Sequence, residues 1–137
     1  MAEFSSQSSW YPTSSTVELA DFELPILVVH YWAVWNLHDR EMDRRLSALC
    51  NEYSDRICFR SCNVDGAENQ RFIPDIANIP ALGCFIHGEL LESSIGLRSV
   101  DELRTEFGGW LARFMVEVAQ IEKRYWRVEW TLKVAVH

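Results

Sequence analysis

Apolar positions change their period several times along the chain, and each change marks an element. Residues 26–32 read Ile-Leu-Val-Val-His-Tyr-Trp, almost continuously apolar and rich in β-branched or aromatic types. Such a run predicts a strand buried on both faces, in a sheet covered by helices. From Asn36 the period becomes helical: Met42, Leu46, Leu49, Cys50 and Tyr53 share one face, opposite Arg40, Asp43, Arg44, Ser47 and Asn51. Residues 57–64 predict a second strand closed by Asp65-Gly66, with a weak helix over 67–72. Residues 81–86 and 90–94 predict two strands around the hairpin-type turn His87-Gly88. Ser99 and Glu102 have the spacing of a capping box and open a helix through Tyr125, with Leu103, Phe107, Leu111, Phe114, Val118 and Ile121 along one side. Gly108-Gly109 interrupts that helix and is expected to break or bend it.

Both ends of the chain differ from this middle. Residues 1–16 are serine-rich and read as a flexible arm, pinned by Trp10 and Tyr11. Thr16 is placed to cap a short helix through Phe22, and Pro25 marks its boundary. At the other end Val128, Trp130, Leu132, Val134 and Val136 alternate with Arg127, Glu129, Thr131, Lys133 and Ala135. That alternation predicts an extra amphipathic strand, paired either with an edge of its own sheet or with a second chain in a homodimer. The element order β-α-β-α-β-β-α gives an α/β fold, a mixed central sheet flanked by helices. Its predicted organisation is an arm over 1–16, a domain over 17–112, and a helix end with the extra strand over 113–137.

Composition narrows the function classes. The 137 residues are 48% apolar and 24% charged, the balance of a single globular domain. A net charge of −7 argues against nucleic acid, which needs a dense basic surface. The longest apolar run, residues 24–29, is far too short to cross a bilayer, and no basic leader precedes an apolar core. A cytoplasmic or other reducing compartment is therefore expected, with no membrane partner. Cys58 and Cys62 are four residues apart in a predicted strand, roughly 13 Å, beyond disulfide reach. With Cys50 and Cys84 they read as free, mostly buried thiols. His30, His38, His87 and His137 form no i, i+4 pair and have no cysteine cluster beside them, so no metal or cofactor is expected.

Residues 27–35, Leu-Val-Val-His-Tyr-Trp-Ala-Val-Trp, resemble the strand that enters the active site of thioredoxins, including its W-A-x-W ending. Asn63-Val64-Asp65 is similar to that family's N-x-D strand end, Ile79-Pro80 to its I-P step and His87-Gly88-Glu89 to its N-G-E turn. Gly96 falls where the next glycine of the family is expected. These landmarks keep the family's spacing from Leu27 to about Phe107, and the resemblance implies a thioredoxin-like fold. The departure lies after Trp35, where the family's C-G-P-C is replaced by Asn36-Leu37-His38-Asp39. Exchange chemistry needs a low-pKa thiolate at the helix start and a second, resolving thiol. The resemblance also aligns the family's buried carboxylate with His30 and its partner lysine with Ser61, a pair that could satisfy itself with one hydrogen bond.

Two readings of the altered segment follow. As structure, Asn36 caps the helix for about 1 kcal/mol, and Asp39 places negative charge at the positive end of the helix dipole. As function, the resemblance implies a client groove lined by Trp35, Leu37, His38, Asn78, Ile79, Pro80, Ile95, Gly96 and Leu97. Pro80 is expected in cis, with the backbone before it free to pair with an extended peptide. The exposed Trp-Leu-Ile composition suits an interface anchor. The leading expectation is a non-catalytic module that binds another protein or peptide, as a scaffold subunit, assembly factor or cochaperone. His30-Tyr31 and Asp43-Arg44-Arg45-Leu46 are also similar to motifs of the phosducin-like thioredoxin domains, whose long helical arm this sequence lacks. The alternative is a thiol-dependent oxidoreductase or isomerase working through Cys84 or Cys62.

Overall fold

The computed structural model describes residues 10–136. Four strands form one mixed sheet in the order β2-β1-β3-β4. They are β1 (Ile26–Trp32), β2 (Cys58–Asn63), β3 (Ala81–Ile86) and β4 (Glu89–Ile95). Strand β1 runs parallel to β2 and antiparallel to β3, and β4 closes a hairpin with β3. The predicted α/β fold with a mixed sheet is what the chain adopts. Every residue of β1 is buried, as its unbroken apolar run requires.

The parity of β1 divides the core. Leu27, Val29 and Tyr31 face one side, with Cys62, Ala81 and Phe85 beside them in register. Phe22 and Phe72 cover that side: their rings stack at 5.3 Å, and Phe22 meets Phe85 edge-on at 5.0 Å. They come from two 3-10 turns, Leu19–Glu23 and Ala67–Phe72. Val28 and His30 face the other side, where helix α1 (Leu37–Tyr53) contributes Leu46 and Cys50. Tyr31 is fully buried and its hydroxyl donates to the Phe72 carbonyl at 2.8 Å. Tyr31→Phe strands that carbonyl, and urea denaturation should show a loss of about 1 kcal/mol with an unchanged slope.

The chain enters the fold differently from expectation. The first nine residues of the predicted arm, and His137, lie outside the described residues. Trp10 to Thr16 are held: the Trp10 ring packs on Trp32 at 5.0 Å, and Thr13 bonds both carboxylate oxygens of Asp43. Thr16 caps no helix but bridges Ser61 in parallel, extending the sheet beyond β2. The following 3-10 turn is capped by Glu18, whose backbone N–H bonds the Asp21 carboxylate at 2.8 Å. That reciprocal box satisfies the turn without Thr16 and leaves it free to pair.

Helix α2 (Val100–Val136) corrects two further expectations. It opens on the predicted box, with Ser99 and Glu102 bonded reciprocally at 3.0 and 3.1 Å. It then runs through Gly108-Gly109 without a break, and the predicted strand over 128–136 is helix. No glycine or proline interrupts residues 110–136, so a formed helix propagates at one hydrogen bond per residue. One compact unit ends at Arg104 and a second begins at Thr105. Within the second, the rings of Phe107 and Trp110 pack at 5.8 Å.

Candidate functional site

Strand β1 delivers Ala33, Val34 and Trp35 to the start of α1. Asn36 is the N-cap: its Oδ1 accepts from the His38 N–H at 2.9 Å. Its other amide end donates to the Ile79 carbonyl at 3.2 Å. One side chain thus caps the helix and ties it to the Ile79–Pro80 loop, whose peptide bond is cis. The Gly96 N–H donates to the Pro80 carbonyl at 2.8 Å, which brings the third segment in. The three stretches expected to form a groove are therefore linked by two hydrogen bonds.

Exposure within them is uneven. Leu37 is 77% and Trp35 66% exposed, large apolar surface for residues of this type. The Trp35 indole N–H is fixed by the Asp65 carboxylate at 2.8 Å. His38 and Asn78 are also exposed, Ile79, Ile95, Gly96 and Leu97 are half-buried, and Pro80 is buried. Gly96 has φ of 101°, a left-handed conformation natural to glycine.

The backbone before Pro80 is not free, contrary to expectation. The Ile79 N–H donates to Asn78 Oδ1 at 2.9 Å, and the Ile79 carbonyl is taken by Asn36. Side chains of the chain itself fill both pairing positions that an extended peptide would use. A second correction concerns Asp39. It faces inward, fully buried, with Oδ2 accepting from the Ala33 N–H at 2.8 Å and Oδ1 without a partner. Burial pushes its carboxyl up to about 6 against the opposing pull of the Ala33 bond. Asp39 therefore takes up a proton below about pH 6, well above the usual carboxylate range, and is a buried group instead of an open negative charge at the helix terminus.

The expected His30–Ser61 bond does not form. The two are register neighbours on β1 and β2, but the Ser61 hydroxyl bonds the carbonyls of Ser14 and Ser15 in the arm. Both ring nitrogens of His30 are buried without a hydrogen-bond partner, and burial holds its pKa down at about 3. The arm reaches the same serine from the other side and outcompetes the imidazole.

Among residues 36–39, which open α1, none is a cysteine. Cys62 pairs in register with Tyr31 and Cys84 with Val28, so the two thiols face opposite sides of the sheet. Burial pushes the Cys62 thiol up to about 12 and that of Cys50 to about 11; Cys58 is raised as well. Among the described residues no group of three or more His, Cys, Asp or Glu side chains could hold a metal. No described helix is long and apolar enough to cross a membrane.

Sequence reasoning missed the arm as part of this surface. A groove of about 510 Å³ beside Leu37 is lined by Trp10, Tyr11 and Thr13 from the arm and by Arg40, Glu41, Asp43, Arg44 and Ser47 from α1. Tyr11 is 77% exposed at its rim. The paired aromatics at 10 and 11 were the available signal.

Comparison with known proteins places this geometry. The sequence matches the family model described as Thioredoxin over residues 14–107, more than half of the chain. The chain belongs to the thioredoxin family. It is similar to Thioredoxin C-2 of Corynebacterium nephridii, at 32% identity over 79 residues, which span 58% of this chain and 72% of that protein. Among solved structures it resembles a mutant thioredoxin from Halobacterium salinarum NRC-1, with a TM-score of 0.60 over 72% of this chain and 89% of that one. Sequence identity there is 16%, so that likeness speaks for the fold. In this thioredoxin-family chain, residues 36–39 open α1 with an amide cap and a buried carboxyl.

Proposed function

We propose that this protein is a thioredoxin-family module without dithiol chemistry, which binds another protein through Trp35, Leu37 and the neighbouring arm groove. The observation that carries the reading is Asn36. The position that opens α1 holds an amide engaged on both sides, where exchange chemistry needs a thiolate stabilised by the helix terminus. The four thiols support the same reading, since three are pushed upward in pKa and Cys62 and Cys84 sit on opposite sheet faces. A protonated thiol such as that of Cys62 is a poor nucleophile, and Cys62 and Cys84 are both fully buried, which disfavours an oxidoreductase or isomerase built on either.

Binding would proceed through side chains. The occupied backbone of Ile79 disfavours strand addition beside Pro80, whereas Trp35 and Leu37 are held outward on a capped helix terminus. Large exposed apolar groups on a rigid support lose little entropy when covered. A role as scaffold subunit, assembly factor or cochaperone fits such a surface.

Capture with a crosslinker from a lysate of the source cells tests this reading. A partner should be retained by the wild-type chain after its accessible thiols are blocked with N-ethylmaleimide. Leu37→Asp should lose that partner while keeping the native circular dichroism spectrum. A partner that is released by dithiothreitol and absent after thiol blocking would mean a mixed disulfide, and the binding-module reading would fail.

A further inference from the structure

Helix α2 carries a pattern that a helix packed on a globular domain does not need. Phe107, Phe114, Ile121, Val128 and Ala135 recur every seven residues. Leu111, Val118, Tyr125 and Leu132 do the same, each four residues later. Together they give nine apolar positions at unbroken spacings of four and three, on a backbone that stays helical to Val136. The mean period is 3.5, and on a straight helix of 3.6 residues per turn such a seam drifts by about 80° over four heptads. A strict 3.5 period is kept in register by supercoiling around another helix.

Exposure rises along the described part of this seam. Phe107 is fully buried, and Leu111, Phe114 and Val118 are half-buried. Ile121, further along the same seam, is 52% exposed. We propose that α2 pairs with α2 of a second copy of this chain as an antiparallel coiled coil, with the two helices crossing near residues 119–120. This inference is independent of the function proposed above. An identical helix supplies an identical seam, and the flanking charges decide the direction. With Leu111, Val118, Tyr125 and Leu132 at a and the other set at d, Glu117 and Arg124 occupy g, and Glu122 and Glu129 occupy e.

In a parallel pair Glu117 meets Glu122 of the other helix, and this repulsion offsets the attraction of Arg124 for Glu129. In the antiparallel pair each Glu117 meets an Arg124, twice by symmetry, and no like charges oppose. Glu117, Glu122 and Arg124 are all exposed and available for such contacts.

Sedimentation of the full chain at micromolar concentration tests the proposal. The wild type should be a dimer, and Ile121→Asp should be a monomer with unchanged helix content. Glu117→Arg should weaken the dimer roughly tenfold through two lost and two repulsive pairs. Adding Arg124→Glu to that variant should restore the wild-type constant. A monomeric wild type would overturn the proposal, and co-sedimentation of that monomer with anionic vesicles would assign the helix to a membrane surface instead. An unchanged or tighter dimer in Glu117→Arg would equally overturn it, the tighter one in favour of parallel pairing.

Discussion

Replacing Asp39 by Asn is expected to raise the stability of the protein at pH 7–8 relative to its value at pH 4. The carboxyl is fully buried, one oxygen has no partner, and its folded pKa is pushed up to about 6 from 3.8. A carboxyl with a raised folded pKa favours folding below its unfolded pKa and loses that contribution as pH rises through the folded one. Wild-type stability should therefore decline by about 2–3 kcal/mol from this group between pH 4 and pH 6. Asn keeps an oxygen for the Ala33 N–H and carries no charge at any pH. Chemical denaturation of both proteins at half-unit steps should show their difference growing in favour of the Asp39→Asn variant across that window. A difference independent of pH would mean that Asp39 stays ionised in the fold.

The second large effect comes from His30, with the opposite sign. Its folded pKa is lowered from 6.5 to about 3 by burial, and neither ring nitrogen has a partner. Stability from the neutral ring is complete above pH 6.5 and is lost as pH falls towards 3, at about 1.4 kcal/mol per pH unit. Between pH 4 and 6 this loss on acidification is balanced by the gain from protonating Asp39. The wild type should then be nearly flat in that window and fall steeply below it. In Asp39→Asn the balance disappears, and the His30 slope should emerge from pH 6.5 downward. His30→Leu removes the titrating group with little change in volume, so the double variant should be flat again. A slope that survives in the double variant would place the acid sensitivity elsewhere.

These two groups show what the sequence could and could not carry. The strand over 26–32, helix α1 and the β3–β4 hairpin were legible because each shows its period and its turn residues without interference. The thioredoxin landmarks placed Asn36 at the cap and Pro80 in the facing loop. What the sequence did not carry was the direction of side chains at element ends. Asp39 has the spacing of a dipole-facing acid, yet its first-turn position points it inward at the Ala33 N–H. Ser61 could have served His30, but the arm carbonyls of Ser14 and Ser15 claimed its hydroxyl.

The end of the chain failed for a different reason. Residues 127–136 fit a period of two when read alone, but Val128, Leu132 and Ala135 also continue a seam that begins at Phe107. An established helix extends more easily than a new strand nucleates, so the longer pattern prevails. The arm was read as flexible but pinned by Trp10 and Tyr11, and both rings do pack on Trp32; what the serine-rich composition masked was the bonding capacity of Thr13.

Insulin disulfide reduction with dithiothreitol as electron source tests the central claim most directly. The wild-type chain should not accelerate precipitation beyond the reagent background. A variant carrying Asn36→Cys and Asp39→Cys restores thiols to the start of α1 on an intact framework, and it should turn over. Turnover by the wild-type chain would contradict the account, and Cys62 and Cys84 would then be the first residues to replace.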